Sequence, residues 1–341
     1  MRTQRATSYW LRAMACLAVA LFLAACLLGC SGEIYDPSQG ALTIVTGNGS
    51  GNGNNQYELP TEPPTGSVFE IPTEDPFANA PHVLRVDFLN TGNSDAILLR
   101  MDETVILVDT GETDDYLNIS GTLDVYGIKT IDYLIISHYD NDHIGTAAQV
   151  LQNYTVKTVY MPDYVRDSSL YRRMMSTLEV LEGVTVHRVT EDVRIDLAYG
   201  SLWINPTRLY EPGLTLGSDN SHAAEENNYS LITSVSFGEI NLLFAGDAEQ
   251  DRLVEFMGLL GDTCAYDVIK IPHHGGYDKA VAELLRMNTG LRYCVVHAGS
   301  EGLVEASLVT AMRASGAAAK FTYNGDVAFA TDGVSMVVEQ E

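Results

Sequence analysis

Positive charge is scarce in this chain. Its 20 lysines and arginines stand against 45 aspartates and glutamates, giving a formal net charge of −25 over 341 residues. No basic run occurs, so the usual footprint of a protein that grips nucleic acid through its phosphates is missing, and the field away from any local cation should repel long polyanions. Cysteine is scarce too, with five in all, three of them (Cys16, Cys26, Cys30) among the first thirty residues. The remaining pair, Cys264 and Cys294, flanks consecutive strands. One bridge in a large core is optional, and the sequence does not reveal the Cα separation of about 5–6 Å that a bridge needs. No internal repeat is evident, and 46% hydrophobic content supplies one large core or two ordinary ones.

The first thirty residues belong to neither core. Arg2, Arg5 and Arg12 precede the apolar run AMACLAVALFLAACLLGC, the pattern of a secretory signal. Its end resembles a bacterial lipoprotein box at two places, before Cys26 and before Cys30. Cys30 is preferred, because cleavage before Cys26 would leave Leu27 and Leu28 near a mature N-terminus, whereas Ser31, Gly32 and Glu33 follow Cys30. A lipid on Cys30 would tether the protein to the outer face of a membrane, and simple cleavage would release it. Residues 31–80 follow as a Gly/Asn/Ser tract and then a Pro/Thr/Glu tract, a flexible linker. Residues 81–341 read as one globular unit.

Three stretches of that unit end apolar strands in ligand-type side chains. YLIISHYDNDHIG (133–145) packs His138, Asp140, Asn141, Asp142 and His143 into six positions. Imidazole nitrogen and carboxylate oxygen suit Zn, Mn or Fe, and a strand end holds them rigidly. EENNYSLITSVSFGEINLLFAGDAE (225–249) delivers Asp247 at the end of a second strand, either as a ligand or as an N-cap for the following helix. YDVIKIPHHGGYDK (266–279) ends a third strand in His273 and His274. Around them, HVLRVDFL, DAILLR and TVILVD read as three antiparallel strands leading to Asp109. Helices are expected over 115–126, 144–153, 168–182 and 304–315, interleaved with short strands, which argues for an α/β or α+β sandwich. Arg166, Arg172 and Arg173 read as an exposed face beside the 168–182 helix. KFTYN, VAFAT and VSMVVE are expected to close the second sheet.

HYDNDH resembles the HxHxDH signature of the metallo-β-lactamase superfamily, with Asp140 where the second His usually stands. The HxDxDH form is similar to the branch holding the extracellular nuclease-like domain of bacterial DNA-uptake competence proteins. Asn228 and Ser230 match that branch's NxS, and PHHG (272–275) looks like its PHHGS with Gly276 in place of Ser. The branch's later Gly-His-Pro is absent, the region reading SEGLVEASL, and His297 either replaces that His or is an ordinary strand residue. The resemblance implies a four-layer αββα sandwich carrying two divalent ions, Zn or Mn with Fe also suited. His138 and Asp140 would hold one ion, with His222 as either a third ligand or a polar-loop residue. Asp142 and one of the two adjacent histidines, His274 preferred over His273, would hold the other, with His143 either a direct ligand or a partner behind one, and Asp247 would bridge them. Asp142 and His273 would act in catalysis, and Asp109, Asn228 and Ser230 would orient ligands or meet substrate. Two such ions lower the pKa of a shared water and clamp the attacked oxygen. The carboxylate at Asp140 hardens the site toward Mn or Fe. The implied activity is a surface-tethered, metal-dependent phosphodiesterase, with a DNA nuclease slightly ahead. The alternatives are a small-ester hydrolase, such as a phosphocholine esterase, and a non-catalytic surface module. No protein partner is evident.

Overall fold

Alternation along the strands assigns two faces to each sheet. In β1 (Leu84–Phe88), Leu84, Val86 and Phe88 enter one core cluster, as do Ile97, Leu99 and Met101 of β2 (Ile97–Met101) and Ile106 and Val108 of β3 (Thr104–Val108). Leu98 and Leu107, between them, enter another. The second half of the chain repeats the pattern: Leu242 and Phe244 of β12 (Ile240–Phe244) join the first cluster, while Leu243 points into a third. A period of two with both faces apolar requires layers on both sides of each sheet.

The computed structural model describes residues 75–210, 213–216 and 226–340. The signal and lipidation expectations at Cys26 and Cys30, most of the linker, and His222 lie outside the described residues. One sheet has eight strands, β17 (Met336–Gln340), β16 (Val327–Thr331), β1, β2, β3, β4 (Thr130–Ile135), β5 (Thr155–Pro162) and β7 (Thr185–Val189), in that order. The other has seven, β15 (Ala318–Phe321), β14 (Tyr293–Val296), β13 (Val268–Lys270), β12, β11 (Ile232–Phe237), β9 (Gly200–Asn205) and β8 (Val193–Leu197). They pack face to face through the cluster that contains Phe88, Phe244 and Phe329. Helices α1 (Tyr116–Val125), α3 (Ala147–Asn153) and α4 (Ser169–Val180) cover the outer face of the first sheet with residues such as Leu123, Val150 and Met174. Helices α5 (Gln250–Leu260), α6 (Lys279–Met287) and α7 (Ala306–Ser315) cover the second with Phe256, Leu284 and Leu308. The αββα expectation therefore holds. Each fully buried Leu, Ile or Phe in these layers contributes roughly 1.5–3 kcal/mol. No helix among the described residues is long and apolar enough to cross a membrane.

Several local expectations are corrected. Only Ala318–Phe321 edges the second sheet; β16 and β17 join the first, where Phe329 lies opposite Val86 and packs on Phe88. Alternation shows that a strand has a buried face but not which sheet edge receives it. The helix expected over 144–153 is broken into α2 (Asn141–Ile144) and α3, and residues 301–303 form a separate 3-10 turn before α7. Arg166 is not on an exposed helix face: it ends a short strand, β6 (Tyr164–Arg166), paired with β10 (Leu214–Leu216), and is buried. The optional bridge is not formed, in keeping with the sequence reading: Cys264 and Cys294 are free thiols.

Candidate metal centre

Strands β3 and β4 run parallel, and so do β12, β13 and β14. The carboxyl ends of parallel strands are where α/β sheets place their ligands, and here both sets of ends converge. Asp109 follows β3, residues 137–143 follow β4, Asp247 follows β12, and His273 and His274 follow β13. The backbone is bent to achieve this. Asp109, His273 and His274 have φ of 58°, 53° and 50°, a region that non-glycine residues enter at a cost and usually at functional sites. Gly246 has φ 54°, and a Cβ there would lie 2.8 Å from Ser137 Cβ. A Cβ on Gly145 would lie 2.4 Å from the Glu112 backbone, so the turn behind His143 also requires glycine. Backbone bonds stitch the pieces together: Thr110 N–H to His143 O at 2.8 Å, Asp95 N–H to Asp142 O at 3.1 Å, and Leu231 N–H to Ser137 O at 2.9 Å.

Four side chains point into one space. His274 Nε2 lies 3.1 Å from Asp142 Oδ2 and 3.2 Å from Asp247 Oδ2, and His143 Nε2 lies 3.3 Å from Asp247 Oδ2. One ligand atom from each of Asp142, His143, Asp247 and His274 falls within 4.8 Å of all the others. A tetrahedral ion with bonds of about 2.0–2.1 Å needs donors about 3.3 Å apart, so the spacing fits. His138, His143 and His274 each bury an Nε2 that makes no directed hydrogen bond. Orphaned buried imidazole nitrogens are costly unless a cation takes them, and the donor set is the N/O mixture expected for Zn, Mn or Fe.

The surrounding residues fix these donors. Asp109 accepts from Ser137 N–H and Ser137 Oγ–H, both at 2.7 Å, and pairs with His143 Nδ1 at 2.9 Å. Ser137 Oγ is also 3.0 Å from His138 Nδ1. A carboxylate behind a histidine sets which nitrogen faces the ion, so Asp109 acts through His143. Ser230 Oγ accepts from Asp247 N–H at 3.2 Å, while Asn228 Oδ1 accepts from Arg252 N–H at 3.0 Å and so holds the first turn of α5. Glu249, not Asp247, stands at the N-cap position of that helix, and its side chain makes no capping bond there.

A lysine and a second carboxylate, neither singled out in the sequence as site residues, complete the backing. Lys270 is fully buried, is ion-paired with Asp95, donates to Gly246 O at 2.9 Å and lies 3.6 Å from Asp247 Oδ1. With His273 N–H also donating to Asp247 Oδ1 at 3.2 Å, Asp247 faces the donor space through Oδ2 alone. Asp95 reaches His274 Nδ1 at 3.5 Å and His297 Nδ1 at 3.2 Å, so His297 is a buried member of the centre's surroundings. A lone lysine inside the apolar run VIKI was the available signal for Lys270.

Electrostatics follow from this packing. Burial alone would raise Asp247, but the His274 and His143 imidazoles hold it well below the ordinary carboxylate value. Burial would lower His143, but Asp247 and Asp109 hold it well above its ordinary value, and the Asp247 and Asp142 carboxylates lift His274 to about 9 against the same burial. His138 is pushed down by burial and by the neighbouring His143.

The other half of the expected ligand set is looser. His138 Nε2 is 3.8 Å from Asp140 Oδ2, and Asp140 Oδ1 is 3.5 Å from the Arg166 guanidinium. Arg166 also forms an ion pair with the fully buried Glu226, which accepts from Tyr164 O–H at 2.8 Å. Burial and the adjacent Asp140 raise Glu226 to about 8. His273 stands apart from the donor set: its side chain is 46% exposed and its Nδ1 is 3.4 Å from Glu249 Oε1. Of the two adjacent histidines, His274 is the one brought to the cluster.

The metallo-beta-lactamase superfamily model matches residues 89–292. ComE operon protein 3 of Bacillus subtilis is 26% identical over 220 residues, which cover 59% of this chain and 26% of that protein. Recombination protein 2 of Haemophilus influenzae is 27% identical over 199 residues, covering 56% of this chain and 21% of that protein. The chain thus spans about a quarter of the length of the curated relatives it matches. Among solved structures, the metallo-beta-lactamase fold protein YhfI from Bacillus subtilis aligns over 70% of this chain and 95% of its own, at 14% identity and a TM-score of 0.45. With the family match running from the end of β1 to the start of β14, across all three strand-end clusters, this chain belongs to the metallo-β-lactamase superfamily.

Proposed function

We propose that this protein is a metal-dependent hydrolase of phosphodiesters, held outside the cell by a lipid on Cys30. The observation that carries the reading is the convergence of Asp142, His143, Asp247 and His274 donor atoms within 4.8 Å, with two of the imidazole nitrogens buried and without a directed hydrogen bond. These four residues would hold an ion, with His138 and Asp140 flanking it. Zn or Mn bound there supplies a Lewis acid for a phosphoryl oxygen and acidifies water. The protein's own part is positional. Asp109 keeps His143 Nε2 turned inward, and Lys270 and the His273 N–H fix Asp247 with one oxygen forward. Asp142, whose side chain is 29% exposed, is the donor-set carboxylate open to solvent, placed to hold or pass a proton of the attacking water.

The name of one relative, Recombination protein 2, favours DNA as the polymer cleaved. The net charge of −25 favours the second reading, a small phosphoester such as a phosphocholine group. Hydrolysis of linear DNA and of bis-p-nitrophenyl phosphate, with Mn and with Zn across a salt series, separates them. A nuclease cleaves DNA, with activity falling steeply as salt rises. Turnover of the small diester with DNA intact at low salt selects the esterase. No turnover of any diester or thioester by wild type, with Asp142→Ala indistinguishable from it, would leave a binding module.

A further inference from the structure

Resting on the metal-centre reading above, we propose that Arg166 makes the centre unequal. It competes for Asp140 with any ion entering beside His138, so the protein loads one ion tightly at Asp142, His143, Asp247 and His274 and a second only weakly at His138 and Asp140.

The two donor groups differ in what already neutralises them. Asp142, Asp247, His143 and His274 face one another at 3.1–3.3 Å, with Oδ2 of both carboxylates turned to the imidazoles. The cation behind them, Lys270, sits on the Asp95 side of Asp247, near its other oxygen. On the opposite side, His138 Nε2 is fully buried and makes no hydrogen bond, so a donor is aimed into the space. Its partner carboxylate is not turned wholly toward it. Asp140 divides its oxygens between His138, at 3.8 Å, and Arg166, at 3.5 Å.

Arg166 has little freedom to leave. Its side chain is 8% exposed, it is paired with Glu226, and its residue sits on a strand whose pairing with Leu216 and whose Asp167 N–H to Leu216 O bond of 3.0 Å fix the backbone. An incoming dication at His138 and Asp140 therefore meets a fixed positive charge on the same carboxylate, a repulsion that salt screens only in part because His138 and Arg166 are buried while Asp140 is 27% exposed. Where a second imidazole stood instead of Asp140, nothing would tie that ligand to a guanidinium.

The test is metal binding, read by equilibrium dialysis and calorimetry with Mn²⁺ and with Zn²⁺ on the chelator-treated full chain. Wild type is expected to show one tight ion and one at least about tenfold weaker. Arg166→Gln should strengthen the second step about tenfold or more and leave the first unchanged, while Arg166→Lys, which keeps the charge, should stay close to wild type. Because Arg166→Gln leaves Glu226 with Tyr164 as its remaining partner, the pair Arg166→Gln with Glu226→Gln is measured beside it and should also strengthen the second step. Two equal steps in wild type, or a second step left unchanged or weakened by Arg166→Gln in both backgrounds, would overturn the proposal while leaving the metal centre intact. Failure of wild type to bind any ion would overturn this proposal and the hydrolase reading together.

Discussion

The two sides of the centre are assembled from the same residue types by different rules. On the Asp247 side, three of the four donors are backed by a further group: His143 by Asp109, His274 by Asp95 at 3.5 Å, and Asp247 by Lys270 and a backbone N–H. These supports engage Nδ1 of the two imidazoles and Oδ1 of Asp247, so Nε2 and Oδ2 stay turned to the donor space. On the Asp140 side, the guanidinium of Arg166 shares the very carboxylate that an ion would need. Pre-organisation from behind favours binding, whereas a cation on the ligand itself opposes it.

The sharpest way to break this comparison is to remove the shared donor. Asp247→Ala should abolish the tight binding step and lower turnover about a thousandfold, since the stabilisation an ion supplies is worth several kcal/mol. Titration of the variant with Zn²⁺ checks the first part, and retained cooperative unfolding shows that the fold survives. Lys270→Met should act mainly on stability. It leaves Asp95 and Asp247 buried without their cation, which costs about 3–5 kcal/mol in denaturant unfolding. Asp109→Asn is a smaller perturbation: it keeps the shape but loses the charge behind His143, and metal affinity should fall about 10–100-fold.

A pH series sharpens the contrast further. In chelator-treated protein, His274 is raised from 6.5 to about 9, so its contribution to stability is fully present below pH 6.5 and is lost as pH climbs through about 9. Asp247 is held below its ordinary value of 3.8, so its contribution is present above that pH and is lost on further acidification. Melting temperature should thus decline across the alkaline range without metal. With Zn²⁺ present the decline should flatten or reverse, because ligation needs the neutral imidazole. The smallest effect is expected for His273→Ala. An exposed imidazole outside the donor set should leave the tight binding step within about twofold of wild type, any loss appearing in KM for the diester.

Legibility in the sequence followed the range of the interactions. His138, Asp142 and His143 were visible because one short strand end carries them all, and Asp247 and His274 because each closes an apolar run. The two-faced strands were visible for the same local reason. The burial of Arg166 is not legible locally, because its ion-pair partner Glu226 lies sixty residues away and only the fold joins them. Asp95, just before β2 of the first sheet, meets Lys270, His274 and His297 in and just after β13 and β14 of the second, a pairing that no local period encodes. Which sheet receives the last two strands is not legible either, because alternation carries no information about which edge is open.

The most direct measurement is an anomalous difference map from crystals of the full chain grown with Zn²⁺ or Mn²⁺. The account predicts a strong peak about 2.0–2.2 Å from Asp142, His143, Asp247 and His274, and a weaker peak or none beside His138 and Asp140. A map with no peak among the first four, or with its strongest peak at His138 and Asp140, would contradict it.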